Sequence, residues 1–206
     1  MTLKLLVCVT QVMDPRTSLE IAPDDGLVNQ HEPEPVYRLN PADRRALEEA
    51  VTMKHALDAE VTVLTAGPER AGDVLTQCLA RGADAARHVR CEKDDRDAWG
   101  TAMRLAEAIH GEDWSVIFCG QETVDQAGGQ VGLMLAELLG LPAVSRVVDL
   151  EVDVGRQRIV AQRLLERGDR VVVECSLPAL MCVLTSSSDP RYVSVHRCLL
   201  SREEPV

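Results

Sequence analysis

The chain has 206 residues, 46% of them apolar, and a formal net charge of −11, a length that suits one full hydrophobic core and is short for two. Aromatic residues make up only 2%. That scarcity, with the acidic balance, excludes a base-stacking platform and a basic face for a nucleic-acid backbone. No run approaches the roughly 20 apolar residues of a membrane span. Seven cysteines are scattered without a Cys-x-x-Cys pair, which predicts reduced core thiols in a cytoplasmic protein and no zinc site.

Residues 3–9, rich in Leu and Val, read as a buried first strand; no charged leader or cleavage site makes them a signal peptide. Residues 14–40 form a long irregular connection. It carries Pro15, Pro23, Pro33 and Pro35, an Asp-Asp-Gly turn at residues 24–26 and room for a small hairpin at residues 18–21. Asn40-Pro41 then opens a helix. Asn caps free amides, Pro is pre-set for the first helical position, and Asp43 puts negative charge near the helix's positive end. Residues 60–66 read as the second strand, and Gly67-Pro68 turns into a helix running through Leu79 and closed by Gly82. Residues 86–89 form a third strand, Asp97 caps a helix reaching Ile109, and residues 116–119 form a fourth strand. Gly128-Gly129 precedes a helix over residues 130–139, closed by Gly140.

Strands alternating with helices predict an α/β fold, a mostly parallel sheet flanked by helices. After Pro142 the pattern changes. Residues 144–154, 158–165, 170–175 and 179–184 are strand-like and joined by short turns, so they read as antiparallel strands added in the C-terminal third. Residues 186–190 read as a polar loop and residues from about 200 to 206 as a mobile tail. No repeat or low-complexity tract divides the chain, which is expected to be a single domain over residues 1–206.

The loop of residues 120–132, Gly-Gln-Glu-Thr-Val-Asp-Gln-Ala-Gly-Gly-Gln-Val-Gly, joins a strand to a helix. In an open parallel sheet, ligands bind beyond the carboxyl ends of the strands. Glycines allow close backbone approach, and the helix start offers unpaired amides and partial positive charge to a phosphate. The loop holds no Lys or Arg and no Walker or Gly-x-Gly-x-x-Gly pattern. It is therefore a candidate phosphate cradle held by backbone amides, with an ordinary βα loop as the alternative. Catalytic constellations are absent from the sequence. His31, His55, His88, His110 and His196 sit on separate elements, and Ser186-Ser187-Ser188 lacks a nucleophile-elbow context.

Several segments in order resemble the β subunit of electron transfer flavoproteins. They are Leu5-Leu6-Val7-Cys8-Val9-Thr10-Gln11-Val12-Met13-Asp14, Leu39-Asn40-Pro41-Ala42-Asp43 with Leu47-Glu48-Glu49-Ala50, and Thr65-Ala66-Gly67-Pro68 with Ala80-Arg81-Gly82-Ala83-Asp84. The loop of residues 120–132 with Ala136-Glu137-Leu138-Leu139-Gly140-Leu141-Pro142 follows, then Leu177-Pro178-Ala179-Leu180 and Pro190-Arg191-Tyr192. The resemblance implies an adenine-nucleotide-binding, Rossmann-like fold and a heterodimer with an α subunit that carries FAD. Electrons would pass through that FAD between a dehydrogenase and a quinone reductase or other acceptor, without membrane insertion. The chain would be an electron-carrier subunit with no catalytic residue of its own. Its nucleotide would lie against Cys8, Val9, Asn40, Thr65, Ala66, Gly120, Asp125, Gly128, Gly129, Gln130, Val131, Gly132 and Leu133. Pro15 would approach the α-subunit flavin.

Members that hold AMP tend to have Asn-x-Thr-Gly where this chain has Gly129-Gln130-Val131-Gly132. Gln-Val-Gly is more similar to bifurcating members that hold a second FAD, which usually have Asp-Thr where this chain has Ala127-Gly128. AMP and FAD thus both stay open. The family's apolar anchor for acyl-CoA dehydrogenases has no counterpart in Ser186-Ser187-Ser188-Asp189, which argues against the familiar dehydrogenase docking. A chain ending soon after Leu200, without the family's C-terminal arm, predicts a smaller heterodimer interface or compensation by the α chain. The alternatives are a universal-stress-type nucleotide-binding module and an enzyme hydrolysing the α-phosphate of ATP. The first lacks its phosphate glycine pattern here; the second lacks glycines after the first strand.

Overall fold

A computed structural model of the chain describes residues 2–17, 35–91, 97–184 and 189–201. The hairpin expected at residues 18–21, the turn at 24–26, the serines at 186–188 and the tail beyond residue 201 lie outside the described residues. The elements run in the order β1 (Lys4–Cys8), β2 (Gln11–Met13), β3 (Tyr37–Leu39), α1 (Pro41–Leu57), β4 (Glu60–Gly67), α2 (Gly72–Ala80), β5 (Ala85–Arg90) and α3 (Ala98–Ile109). Then come β6 (Val116–Gly120), α4 (Val131–Leu139), β7 (Ala143–Asp153), β8 (Arg158–Leu164), β9 (Arg170–Ser176), β10 (Ala179–Val183) and α5 (Val195–Leu200).

Eight strands form one sheet in the order β5-β4-β1-β6-β10-β7-β8-β9. The pairs from β5 to β7 are all parallel, and β8 and β9 add antiparallel pairs. Alternation along each buried strand sorts side chains to two faces. Leu5, Val7, Val61, Val63 and Phe118 pack with α1 and α2. Leu6, Cys8, Leu64, Ile117 and Leu180 pack with α3 and α4. With so few aromatics, the core is filled by branched aliphatics, and Phe118 is the one fully buried phenyl ring.

Three features depart from the sequence reading. β10 is parallel to both neighbours, β6 and β7, instead of joining the antiparallel set. All five of its residues are buried, as a strand covered on both faces requires, and its unbroken Ala-Leu-Met-Cys-Val run carries that signal. The long connection after β1 also contributes a pair of short antiparallel strands, β2 and β3, that bring Gln11 opposite Leu39 and Met13 opposite Tyr37. α5 is a further element near the expected tail.

The chain leaves β1 outward through β4 to β5, then returns to the other side of β1 at β6. The loops after β1 and β6 therefore part toward opposite faces. That divergence opens a crevice beyond their carboxyl ends, the topological switch point of the sheet.

Candidate functional site

A cleft of about 170 Å³ occupies that crevice. One wall is the chain leaving β1, from Cys8 to Gln11; another is the turn after β4 with Ala66, Pro68 and Arg70; the third is the loop after β6. The Gly-rich segment reaches α4 through backbone that favours glycine: Ala127 has φ 50° and Gly129 φ 60°. A side chain at Gly128 would meet nothing within 4 Å, so this stretch offers bare backbone to the cleft. No side chain caps α4, in contrast to α3, whose Asp97 accepts from Gly100 N at 2.7 Å. Uncapped first-turn amides beside open glycine backbone are a cradle suited to a phosphate. The donor set of this site therefore fits a nucleotide phosphate held by the main chain.

Two buried polar side chains fix the loops that form the walls. Asn40 is fully buried and, contrary to the expected role, caps nothing on α1. Its amide is used elsewhere: Nδ2 donates to Glu122 O at 3.0 Å and Oδ1 accepts from Val124 N at 3.3 Å. Its backbone N donates to Thr10 O at 3.0 Å, so one residue ties the loops after β1 and β6 to the start of α1. Asp43 acts alongside it. Oδ2 accepts from Thr10 N at 2.7 Å and Oδ1 from Gly120 N at 3.1 Å. Burial pushes this carboxyl up to about 7, against hydrogen bonds from Asn40, Thr10 and Gly120 that favour its charged form. Gly120 has to be glycine here, because a Cβ would stand 2.1 Å from Asp43 Oδ1 and 2.8 Å from Asp43 N.

Cys8 and Cys119 line the cleft, and the row of thiols continues into Cys182 beside them. Cys8 and Cys182 are each in register with Cys119, on the adjacent strands β1, β10 and β6. A hydrogen bond with Cys8 and then burial hold the Cys119 thiol well above its usual value, and burial pushes Cys182 up to about 12. The Cys119 and Cys182 thiols are small neutral groups, and their size lets α4 sit close to the sheet. At Gly132 a Cβ would lie 2.7 Å from Cys182 Sγ and 3.2 Å from Cys119 Cβ. A larger side chain, as in Gly132→Asp, would drive into the sulfurs of Cys119 and Cys182 and lift α4.

Ten of the thirteen residues singled out from the sequence line the cleft: Cys8, Val9, Ala66, Gly120, Asp125, Gly128, Gly129, Gln130, Val131 and Gly132. Asn40 lies beneath the loop as its strut. Thr65 is 1% exposed and alternates away from Leu64 and Ala66, toward the α1 face; its Oγ1 has no partner among the described residues. Leu133 is exposed on α4. The sequence reading missed Asp43's strut, Arg70 and the in-register thiols. Only Asp43 had a local signal, its place three residues after Asn40, and that signal pointed to helix electrostatics.

A larger hollow, about 710 Å³, lies at the opposite, amino ends of the strands, lined by Lys54, His55, Arg81 and Arg191 among others. Lys54 is paired with Asp84, and Arg191 grips Glu48 at 2.8 Å. Much of its charge is thus spent within the protein. Among the described residues no group of His, Cys, Asp or Glu is arranged to hold a metal ion, and no described helix is long and apolar enough to cross a membrane.

A family model described as "Electron transfer flavoprotein domain" matches residues 30–204. The chain is 33% identical over 208 residues to an electron transfer flavoprotein subunit beta of Syntrophomonas wolfei subsp. wolfei, covering 100% of this chain and 79% of that one. It is 32% identical over 211 residues to the caffeyl-CoA reductase-Etf complex subunit CarD of Acetobacterium woodii, covering 99% and 77%. It is 29% identical over 211 residues to the acryloyl-CoA reductase electron transfer subunit gamma of Anaerotignum propionicum, covering 99% and 76%. The chain belongs to the electron transfer flavoprotein family, among relatives named as its β subunits.

Proposed function

From membership of that family, we propose that the chain is the β subunit of a heterodimeric electron transfer flavoprotein and that its switch-point cleft holds an adenine nucleotide, AMP or a second FAD. The observation that carries the nucleotide reading is the cradle itself: open glycine backbone and uncapped α4 amides at the carboxyl ends of parallel strands. In this reading Cys8, Val9, Ala66, Gly120, Asp125, Gly128, Gly129, Gln130, Val131 and Gly132 surround the nucleotide. Asn40 holds the loop in place, Leu133 contributes its first-turn amide, and Thr65 supports the end of β4.

Electron transfer would run through the FAD of the α subunit, between a dehydrogenase and a quinone reductase or another acceptor, in the cytoplasm. This chain would supply the docking surface and the nucleotide-braced support. A second reading, a bifurcating flavoprotein with its own FAD in the β site, is favoured by the Gln130-Val131-Gly132 sequence. Similarity to two proteins named as parts of CoA-ester reductase systems also supports it.

Co-expression with the α chain from the same genome tests the role. The expected result is a yellow, one-to-one complex that transfers electrons from a reduced donor to a dye. A stable, colourless monomer that ignores the α chain would overturn it.

A further inference from the structure

Arg70 is the one Lys or Arg among the described residues that line the cleft, where the other charged side chains are Asp43, Glu122 and Asp125. It forms no ion pair among the described residues, although its neighbour Glu69 pairs with Arg90 at 3.1 Å. Its Nε is buried with no hydrogen-bond partner. Two contacts fix its place. The guanidinium lies over the Tyr37 ring, 4.3 Å from the centroid, and its carbonyl accepts from Gln11 Nε2 at 2.8 Å. The Arg70 Nε is shut off from solvent, as are those of Arg38, Arg81 and Arg163; what distinguishes Arg70 is a cation lining the cleft with no ion-pair partner among the described residues, which leaves its charge to an anion bound there.

The α4 amides and Arg70 stand on different walls of the cleft. β4, which leads to Arg70, is separated from β6 by β1 alone, so the two walls are about 10 Å apart at the strand ends. One wall offers main-chain amides to an anion and the other a planar guanidinium, the group suited to two phosphate oxygens at once. An adenine nucleotide with a single phosphate satisfies only one of them.

We propose that Arg70 is a specificity-determining binding residue that takes a second phosphate, so that the site selects adenine nucleotides bearing a diphosphate over the monophosphate. This rests on the nucleotide reading of the cleft. Its ligand class covers ADP and the diphosphate of a dinucleotide. Tyr37 serves as the platform that holds the guanidinium open to the ligand.

The test is calorimetric titration of the nucleotide-depleted heterodimer with AMP and ADP, for the wild type, Arg70→Gln and Arg70→Lys. The wild type is expected to bind ADP about tenfold more tightly than AMP, the size of one charge-assisted hydrogen-bonded contact at a partly exposed site. Arg70→Gln should erase that ratio while leaving AMP affinity unchanged, and Arg70→Lys should restore part of it. A wild type without preference for ADP would overturn the proposal. So would an Arg70→Gln variant that keeps the ratio or that loses AMP and ADP equally. A wild-type heterodimer that binds neither nucleotide would instead overturn the nucleotide reading on which the proposal rests.

Discussion

The two ends of the parallel strands are built on different physics. At the amino ends, charges meet in pairs near the surface. Lys54 bonds Asp84 and Gly82 O, Asp84 accepts from Val61 N at 2.9 Å, and Arg87 grips Glu112 through both nitrogens. At the carboxyl ends, Asn40 and Asp43 are buried and spend their polar atoms on loop backbone, glycines replace side chains, and Arg70 has no ion-pair partner among the described residues. Exposed pairs are cheap to make and to lose. Buried struts are costly to break, because each deletion leaves backbone groups without partners. A sheet with one end held by surface charge and the other by a dry polar network concentrates its geometric precision where the network is.

That contrast breaks most visibly at Gly120. Gly120→Ala has no room beside Asp43, and a backbone that must shift predicts destabilisation of about 3 kcal/mol with loss of nucleotide; denaturant unfolding measures the first and released nucleotide the second. Asn40→Ala comes next. It leaves Glu122 O and Val124 N unpaired, a cost of about 2 kcal/mol by the same unfolding assay.

Asp43 sharpens the comparison through pH. Its folded value, about 7, lies above the ordinary 3.8. Its contribution to stability is therefore fully present below about pH 4 and is lost as pH rises through 7. Between pH 5 and 7 this one group lowers the unfolding free energy by up to about 2 kcal/mol, and Asp43→Asn should flatten that slope. The antiparallel edge supplies the weak end of the scale. Arg158→Gln removes pairs to Asp153 at 3.3 Å and Glu174 at 2.5 Å, both partly solvated, and should cost less than about 1 kcal/mol.

Much of this architecture is legible in the chain because the signals are local. Asn40-Pro41 starts α1 and Gly140, at φ 66°, ends α4. The glycine run before α4 marks the cleft. What the sequence hides is register and partner choice. Nothing along the chain tells that Cys8, Cys119 and Cys182 meet in one row, since residues more than sixty apart are aligned by strand pairing. Asn40 satisfies the local rule for a cap, yet tertiary contacts with Glu122 and Val124 claim its amide instead. Arg70 reads as an ordinary charge in a turn until the fold places it in the cleft with no ion-pair partner among the described residues. β10 is the intermediate case, because its continuous apolar run is a readable sign of a doubly covered parallel strand, while its sequence neighbours are antiparallel.

The most direct measurement is denaturing release and chromatography of the nucleotides in the purified heterodimer, for the wild type and for Asn40→Ala. The account predicts one adenine nucleotide per copy of this chain beyond the α-subunit FAD, and its loss in the variant. A wild-type complex that releases one FAD and no further nucleotide would contradict it.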